Sequence, residues 1–220
     1  HVEPDFLPRW RRIQKALKHR NSLLRRGRIQ QGEIAPWEAE LVACAEAVDT
    51  MRQRYVRLLL PHFLRALGDL VELDNPSIEY RRGWADNTSL EQALLKDAER
   101  DLQQGSTHSG PHRADLEIRI DGKAADDVLS RGQEKLLVCA LRMAQGVLLN
   151  ELSRKTCVYL VDDLPAELDV SRRQALCRQL ANMNSQVFIT ATDPESLRGC
   201  WAETDDVKWF HVEHGRITLQ

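Results

Sequence analysis

The sequence predicts an α/β protein whose first half is a mostly helical lobe. Three observations carry that reading. Apolar side chains recur with helical period through most of residues 1–109, the pattern of helices that bury one face. From Gly110 onward short apolar runs alternate with helical stretches, which implies a mainly parallel sheet with helices on its faces. Within that second half, the loop-to-helix string Leu129-Ser130-Arg131-Gly132-Gln133 precedes an apolar strand that ends in Asp162-Asp163, at the end of a strand where α/β sheets bind ligands. The predicted domains are accordingly 1–109 and 110–220.

Taken in order, Asp5 is placed to cap a helix from about Phe6 to Arg26, with Trp10, Ile13, Leu17 and Leu24 on one face. Gly27 to Ala35 breaks it. A second helix is expected from Pro36, with a stripe of Trp37, Leu41, Cys44, Val48, Met51, Tyr55 and Leu58 that alternates steps of four and three. Two such helices joined by a short loop predict an antiparallel helical hairpin. Leu70–Leu73 and Ile78–Tyr80 read as short strands around Asp74, Asn75 and Pro76. A third helix is expected from Thr88 or Ser89, where Thr88 and Glu91 have capping-box spacing, to about Gln104, with Gly105 as its stop.

In the second half Asp115–Ile120 alternates as a strand and Asp121-Gly122 signals a tight turn. A helix of about twenty residues, Gly132 to Leu152, is apolar over much of its surface. Cys157–Val161 is a continuous apolar strand. A helix over Ser171–Asn182, a strand over Gln186–Thr190, a short helix at Pro194 and final strands over Val207–Val212 and Arg216–Leu219 complete the chain. No stretch is expected to reach membrane-spanning length.

Composition constrains partners only locally. The net charge is −2 over 220 residues, yet residues 1–28 carry nine Lys or Arg against Glu3 and Asp5. Such a run serves either as a solvated helix face, the commoner use, or as contact with a nucleic-acid backbone. The five cysteines, Cys44, Cys139, Cys157, Cys177 and Cys200, are widely spaced, which fits reduced thiols in a cytoplasmic protein rather than a disulfide framework or a zinc site. The opening His1-Val2-Glu3-Pro4 is neither a signal peptide nor an initiator, so a fragment is expected.

The chemistry of the second half points to phosphate. A serine hydroxyl and a glycine backbone at a helix N-terminus offer donors and a positive dipole end to an anion. Paired carboxylates at a strand end offer oxygen ligands for Mg2+ and a group to position water. The phosphate-cradling loop is missing: none of the eleven glycines is followed by Lys and then Ser or Thr.

In this order, the string at Leu129, a buried helix, an apolar strand, two Asp and then Ala166-Glu167-Leu168-Asp169 resemble the signature helix, Walker B strand and D-loop of ABC-type ATPase heads. The resemblance narrows to the RecF family of SMC-like recombination mediators through Arg9-Trp10 to Arg20-Asn21, Pro36-Trp37, Gly110-Pro111-His112-Arg113-Ala114-Asp115, Leu129–Gln133, Val161–Leu164 and Glu167–Asp169. It implies a helical lobe plus the C-terminal part of an ATPase head, without the Walker A region.

What the resemblance implies for the site is specific. Asp162 would help hold Mg2+, and Asp163 would position the attacking water, as the catalytic carboxylate. Ser130 and Gly132 would contact the γ-phosphate of ATP held by a second subunit, with Leu129, Arg131 and Gln133 close by and Asp169 at the dimer interface. The second acid is usually Glu in the wider superfamily, so the shorter Asp implies slow hydrolysis. Transporters of that superfamily place a His just past the following strand, where Thr192 would offer a neutral hydroxyl. His112 and Arg113 would serve either as a phosphate or interface contact or as a structural turn between the lobes.

The function so implied is an ATP-dependent homodimeric clamp on double-stranded or gapped DNA in repair, recombination, replication and the SOS response, working with a RecR-like protein and no membrane. Arg9, Arg11, Arg12, Lys15, Arg81 and Arg82 are the candidate DNA contacts. Both ATP and Mg2+ would need the missing region, so this chain alone is expected to be inactive. The competing reading is a non-enzymatic helical scaffold or DNA-binding adaptor, whose attraction is the missing Walker A loop.

Overall fold

The computed structural model describes residues 3–27, 31–165, 168–197, 199–201 and 206–219. Ala166, Glu167 and Arg28 lie outside them. The chain divides into two compact units, one formed by His1–Pro61 with Asp74–Val128 and the other by His62–Leu73 with Leu129–Gln220. This division does not fall at 109/110: the segment 110–128 belongs with the helical elements before it.

In the first unit, α1 (Phe6–Arg25) lies antiparallel to α2 (Gln31–Gly68), whose last turns enter the second unit. The antiparallel sense follows from their cross-contacts: Glu3 pairs with Arg54, Arg12 with Glu40, and His19 stacks on Trp37. Ile13, Ala16 and Leu17 of α1 meet Leu41, Cys44, Ala45 and Val48 of α2 in one core with Trp84, Leu90, Ala93 and Leu94. Several boundaries depart from the sequence reading. Asp5 precedes α1 but makes no side-chain cap. The second helix starts at Gln31 rather than at Pro36, since a proline near a helix start removes only one amide bond, to Gly32. The stripe of α2 also changes phase, so that Leu58 is exposed and Leu59, Phe63 and Leu67 are buried instead.

The basic run of α1 is divided between surface and core. Arg11, Lys15 and Lys18 face solvent, but Arg20 is 1% exposed. Its guanidinium donates to Asp101 at 2.7 Å, Thr107 at 2.8 Å and Glu38 at 2.9 Å. Asp101, wholly buried, also accepts from the amide of His108 at 3.0 Å. Breaking one side of such a buried pair typically costs about 3–5 kcal/mol.

No strand forms at Leu70–Leu73. Leu70 and Val71 are buried, and their amides instead donate to the carbonyl of Leu67, both at 2.9 Å, so they close the end of α2. Strand β1 (Pro76–Arg81) pairs antiparallel with β2 (Asp115–Ile120), which turns back into β3 (Lys123–Ala124). The turn residues Asp121 and Gly122 have φ of 48° and 78°, as an Asp-Gly hairpin turn requires. Helix α3 (Leu90–Gln104) carries its capping box on Ser89 and Gln92, one residue later than expected, and ends on left-handed Gly105. Thr88 instead donates to the carbonyl of Ala85. A short α4 (Ala125–Val128) ends the unit.

In the second unit, α5 (Arg131–Ser153) precedes β4 (Val158–Val161), α6 (Val170–Ala181) and β5 (Gln186–Ile189). β4 and β5 pair in parallel, with Val161 opposite Ile189, as a strand-helix-strand crossover predicts. A single 3-10 turn (Pro194–Leu197) and an antiparallel hairpin of β6 (Phe210–Glu213) and β7 (Arg216–Leu219) follow.

Two expectations about burial change here. The sheet was expected to be covered on both faces, but Val158, Leu160 and Phe188 are exposed on one of them, Leu160 by 79%. α5 is also long and apolar enough, by length and composition, to cross a membrane, contrary to the expectation that no stretch would be. Its Leu136, Leu137, Ala140, Met143, Ala144 and Leu148 are buried within the chain, as in the core helix of an α/β unit.

Candidate functional site

Ser130 is the N-cap of α5. Its backbone is extended and its side chain accepts from the amide of Gln133 at 3.4 Å, while the Gln133 side chain accepts from the Ser130 amide at 2.9 Å. The string that reads as a phosphate contact is therefore also a capping box, and the Ser-x-x-Gln spacing is legible in the sequence. The box leaves the first-turn amides of Arg131 and Gly132 without intrahelical partners, at the positive end of the helix dipole. Ser130 and Arg131 are exposed, Leu129 and Gln133 half-buried and Gly132 buried.

The two acids follow β4 directly. Asp163 has φ of 46°, a left-handed conformation uncommon outside glycine. Its amide donates to the hydroxyl of Thr190 at 2.9 Å, and that hydroxyl donates to Oδ1 of Asp162. Lys135, one turn into α5, donates from Nζ to the carbonyl of Asp163 at 3.0 Å. The start of α5 and the C-terminal end of β4 are thus brought together. A cleft of about 680 Å3 beside them is lined by Arg131, Lys135, Met143, Tyr159, Asp162 and Leu180.

Thr190 and Lys135 were not singled out in the sequence. The signal for Thr190 was there: in a parallel pair the residue after β5 stands beside the residue after β4. Thr192, expected to offer a neutral hydroxyl just past this strand, is exposed, two residues after Thr190.

Asp169 is the N-cap of α6. Its Oδ1 accepts from the hydroxyl of Ser171 at 2.7 Å and from the amide of Arg172 at 2.9 Å. The Ser171 bond and then the Arg172 amide hold its carboxyl below the usual aspartate range. It remains solvent-exposed.

The candidate DNA contacts divide into two sets. Arg11 and Lys15 are exposed and Arg9 is half-buried. The other three have partners within the unit. Arg12 makes a two-point bond to Glu40, Arg81 pairs with Glu117, and Arg82 pairs with Asp49 at 3.2 Å while stacking on Trp84.

The Gly-Pro-His-Arg segment is built as a turn. The amide of Gly110 donates to the carbonyl of Gly83 at 3.0 Å and that of Arg113 to the carbonyl of Gly110 at 2.9 Å. Gly83 has φ of 93°, and a Cβ there would run into the Gly110 carbonyl and come within 2.7 Å of the Ala114 amide. Nε2 of His112 donates to the carbonyl of Thr107 at 3.0 Å, and Nδ1 is buried without a partner. Burial pushes the imidazole pKa down. Arg113 is exposed. Among the described residues no group of three or more His, Cys, Asp or Glu is arranged to hold a metal ion.

A capped helix N-terminus thus lies beside a strand that ends in two acids. The RecF/RecN/SMC N-terminal domain family matches residues 13–218. The DNA replication and repair protein RecF of Pseudomonas paraeruginosa is 49% identical over 218 residues, 99% of this chain and 59% of that protein. RecF of Pseudomonas putida is 50% identical over the same share of each. The chain belongs to the RecF family and spans 59% of the length of these curated relatives. Among solved structures, the recombination mediator protein RecF-ATPrS in the RecFOR pathway aligns over 99% of this chain and 59% of its own, with a TM-score of 0.81 at 20% identity. The RecF-ATP structure aligns over 100% and 59%, with a TM-score of 0.80 at 22% identity. The fold is that of the matching part of these RecF structures, an α/β unit together with a mostly helical one.

Proposed function

We propose that this chain is the signature-bearing part of a RecF-type ATPase of the cytoplasm, one that dimerises on ATP, closes on double-stranded or gapped DNA and acts in repair with a RecR-like partner. The observation that carries this reading is the convergence of two features: a Ser130-capped helix with open first-turn amides, and the Asp162-Asp163 pair at the end of a parallel strand. Family membership supports it at about half identity to RecF proteins.

In this reading Ser130, Arg131, Gly132 and Gln133 face the terminal phosphate of ATP bound by a second subunit. Asp169 lies at the interface beside them. Asp162 fits a divalent cation: its Oδ1 is engaged by Thr190 and its side chain is open to solvent, and Mg2+ commonly takes one or two carboxylates together with phosphates and water. When bound, the cation neutralises charge on the transferring phosphate. Asp163 orients water with a side chain one methylene shorter than Glu, which favours slow turnover and a switch-like cycle. Arg11 and Lys15, exposed on α1, are the DNA-backbone contacts best placed to bind, with affinity that falls steeply with salt.

The test is ATP-dependent dimerisation of the protein extended to the length of its RecF relatives, followed by analytical ultracentrifugation. Ser130→Arg blocks the phosphate approach. Ser130→Asp keeps an equally good helix cap while setting a negative charge against the phosphate. Both variants are expected to remain monomeric with ATP while folding normally. Dimerisation by both as in the wild type would remove the role of Ser130 in trans.

A further inference from the structure

We propose that Thr190 is the positioning residue of the acid pair, and that its hydroxyl selects which oxygen of Asp162 is presented to a divalent cation. The proposal rests on the reading of Asp162 and Asp163 given above. A hydroxyl carries one proton and accepts through its lone pairs. The amide of Asp163 can only donate, so Thr190 Oγ1 accepts there, at 2.9 Å. Its single proton is then committed to Oδ1 of Asp162. Oδ2 is left as the oxygen for a cation or its water, and no described residue bonds to it.

The same hydroxyl holds the turn of Asp163. At φ of 46° that residue is in a conformation maintained only when its surroundings over-determine it. Thr190 binds its amide and Lys135 its carbonyl, at 3.0 Å. Thr190 is in turn fixed by its own backbone: its amide donates to Val161 at 3.0 Å and its carbonyl accepts from Leu164 at 3.2 Å. These backbone bonds survive loss of the hydroxyl, so Thr190→Val keeps shape and ladder while removing only the link to the two acids.

The experiment uses the protein at the length of its RecF relatives with a non-hydrolysable ATP analogue and Mn2+ as the probe, free ion being read by electron paramagnetic resonance. Thr190→Val is expected to weaken Mn2+ binding about tenfold or more, as loss of a partner behind a metal ligand does, and Thr190→Ser to restore it to within about twofold. Wild-type Mn2+ affinity in Thr190→Val, with Asp162→Asn weakened, overturns the role of Thr190 and leaves the acid pair standing. A lower melting temperature of Thr190→Val at unchanged Mn2+ affinity marks a purely structural bond and overturns it equally. Wild-type affinity in Asp162→Asn overturns the reading of the acid pair itself.

Discussion

His112 is the residue whose surroundings make the clearest statement about pH. One ring nitrogen donates to Thr107 and the other is buried with no partner, so the neutral ring is favoured, and burial lowers its pKa from the ordinary 6.5. The unfolded chain takes up the proton near the ordinary value, and the folded chain only at lower pH. Between the two values the unfolded state binds more protons, so stability rises with pH across that window. The cost is absent above the ordinary value, grows as pH falls through it, and is constant below the folded value. In NMR titration the His112 ring should therefore show a midpoint below the ordinary histidine value. The wild type should also lose melting temperature relative to His112→Gln as the pH drops from about 7 to about 5. A midpoint at or above the ordinary value would contradict the burial argument.

At the scale of elements, α5 and β4 meet through Gly146 and Tyr159. A Cβ at position 146 would strike the Tyr159 hydroxyl and come within 2.9 Å of the ring carbon that bears it. That hydroxyl is buried, and burial raises its pKa to about 12. Helix propensity alone favours Ala over Gly by about 1 kcal/mol, but overpacking typically costs about 1–3 kcal/mol. The Tyr159 ring is half-buried and its hydroxyl fully buried, so relieving the contact means displacing a packed ring, and the clash should win. Gly146→Ala is expected to destabilise the protein in chemical denaturation, and Tyr159→Phe added to it to recover part of the loss, a non-additive pair. A rise in stability for Gly146→Ala would show that propensity outweighs the contact.

The same scale shows what the sequence made legible. Elements set by local chemistry were readable: the Asp121-Gly122 turn, the Gly105 stop and the strand-helix-strand order around α6. Features that depend on tertiary partners were not. Leu70–Leu73 is as apolar as a strand but is consumed in closing α2. The stripe of α2 slips at Leu58, shortly before the helix passes from the first unit into the second at His62. Arg20 was counted among surface charges although its spacing from Ile13, Leu17 and Leu24 places it on their buried stripe. For the site, the acid pair and the helix N-terminus were visible as motifs, while the bonds of Thr190 and Lys135 that join them arise only from strand and helix placement.

At the scale of the whole molecule, the apolar surface of the second unit is the decisive feature. Leu160 and Phe188 are register partners across β4 and β5, with Val158 on the same face, and all three are exposed. In the hairpin, Phe210 faces Leu219 and Val212 faces Ile217. Opposite residues of an antiparallel pair share a face, so these four form a second exposed apolar surface. Contiguous patches of this kind are rare on soluble monomers. The 220-residue chain should therefore self-associate, with sedimentation shifting to larger species as its concentration rises. Leu160→Lys combined with Phe188→Lys should reduce that shift without loss of helical signal, because neither side chain is in the core and only the hairpin face remains apolar. The chain should also show no saturable ATP binding in equilibrium dialysis, since none of its eleven glycines is followed by Lys and then Ser or Thr, as a loop that cradles the β-phosphate requires. A concentration-independent monomer, or stoichiometric ATP binding by the chain alone, would mean that the exposed faces and the open helix end are complete as they stand.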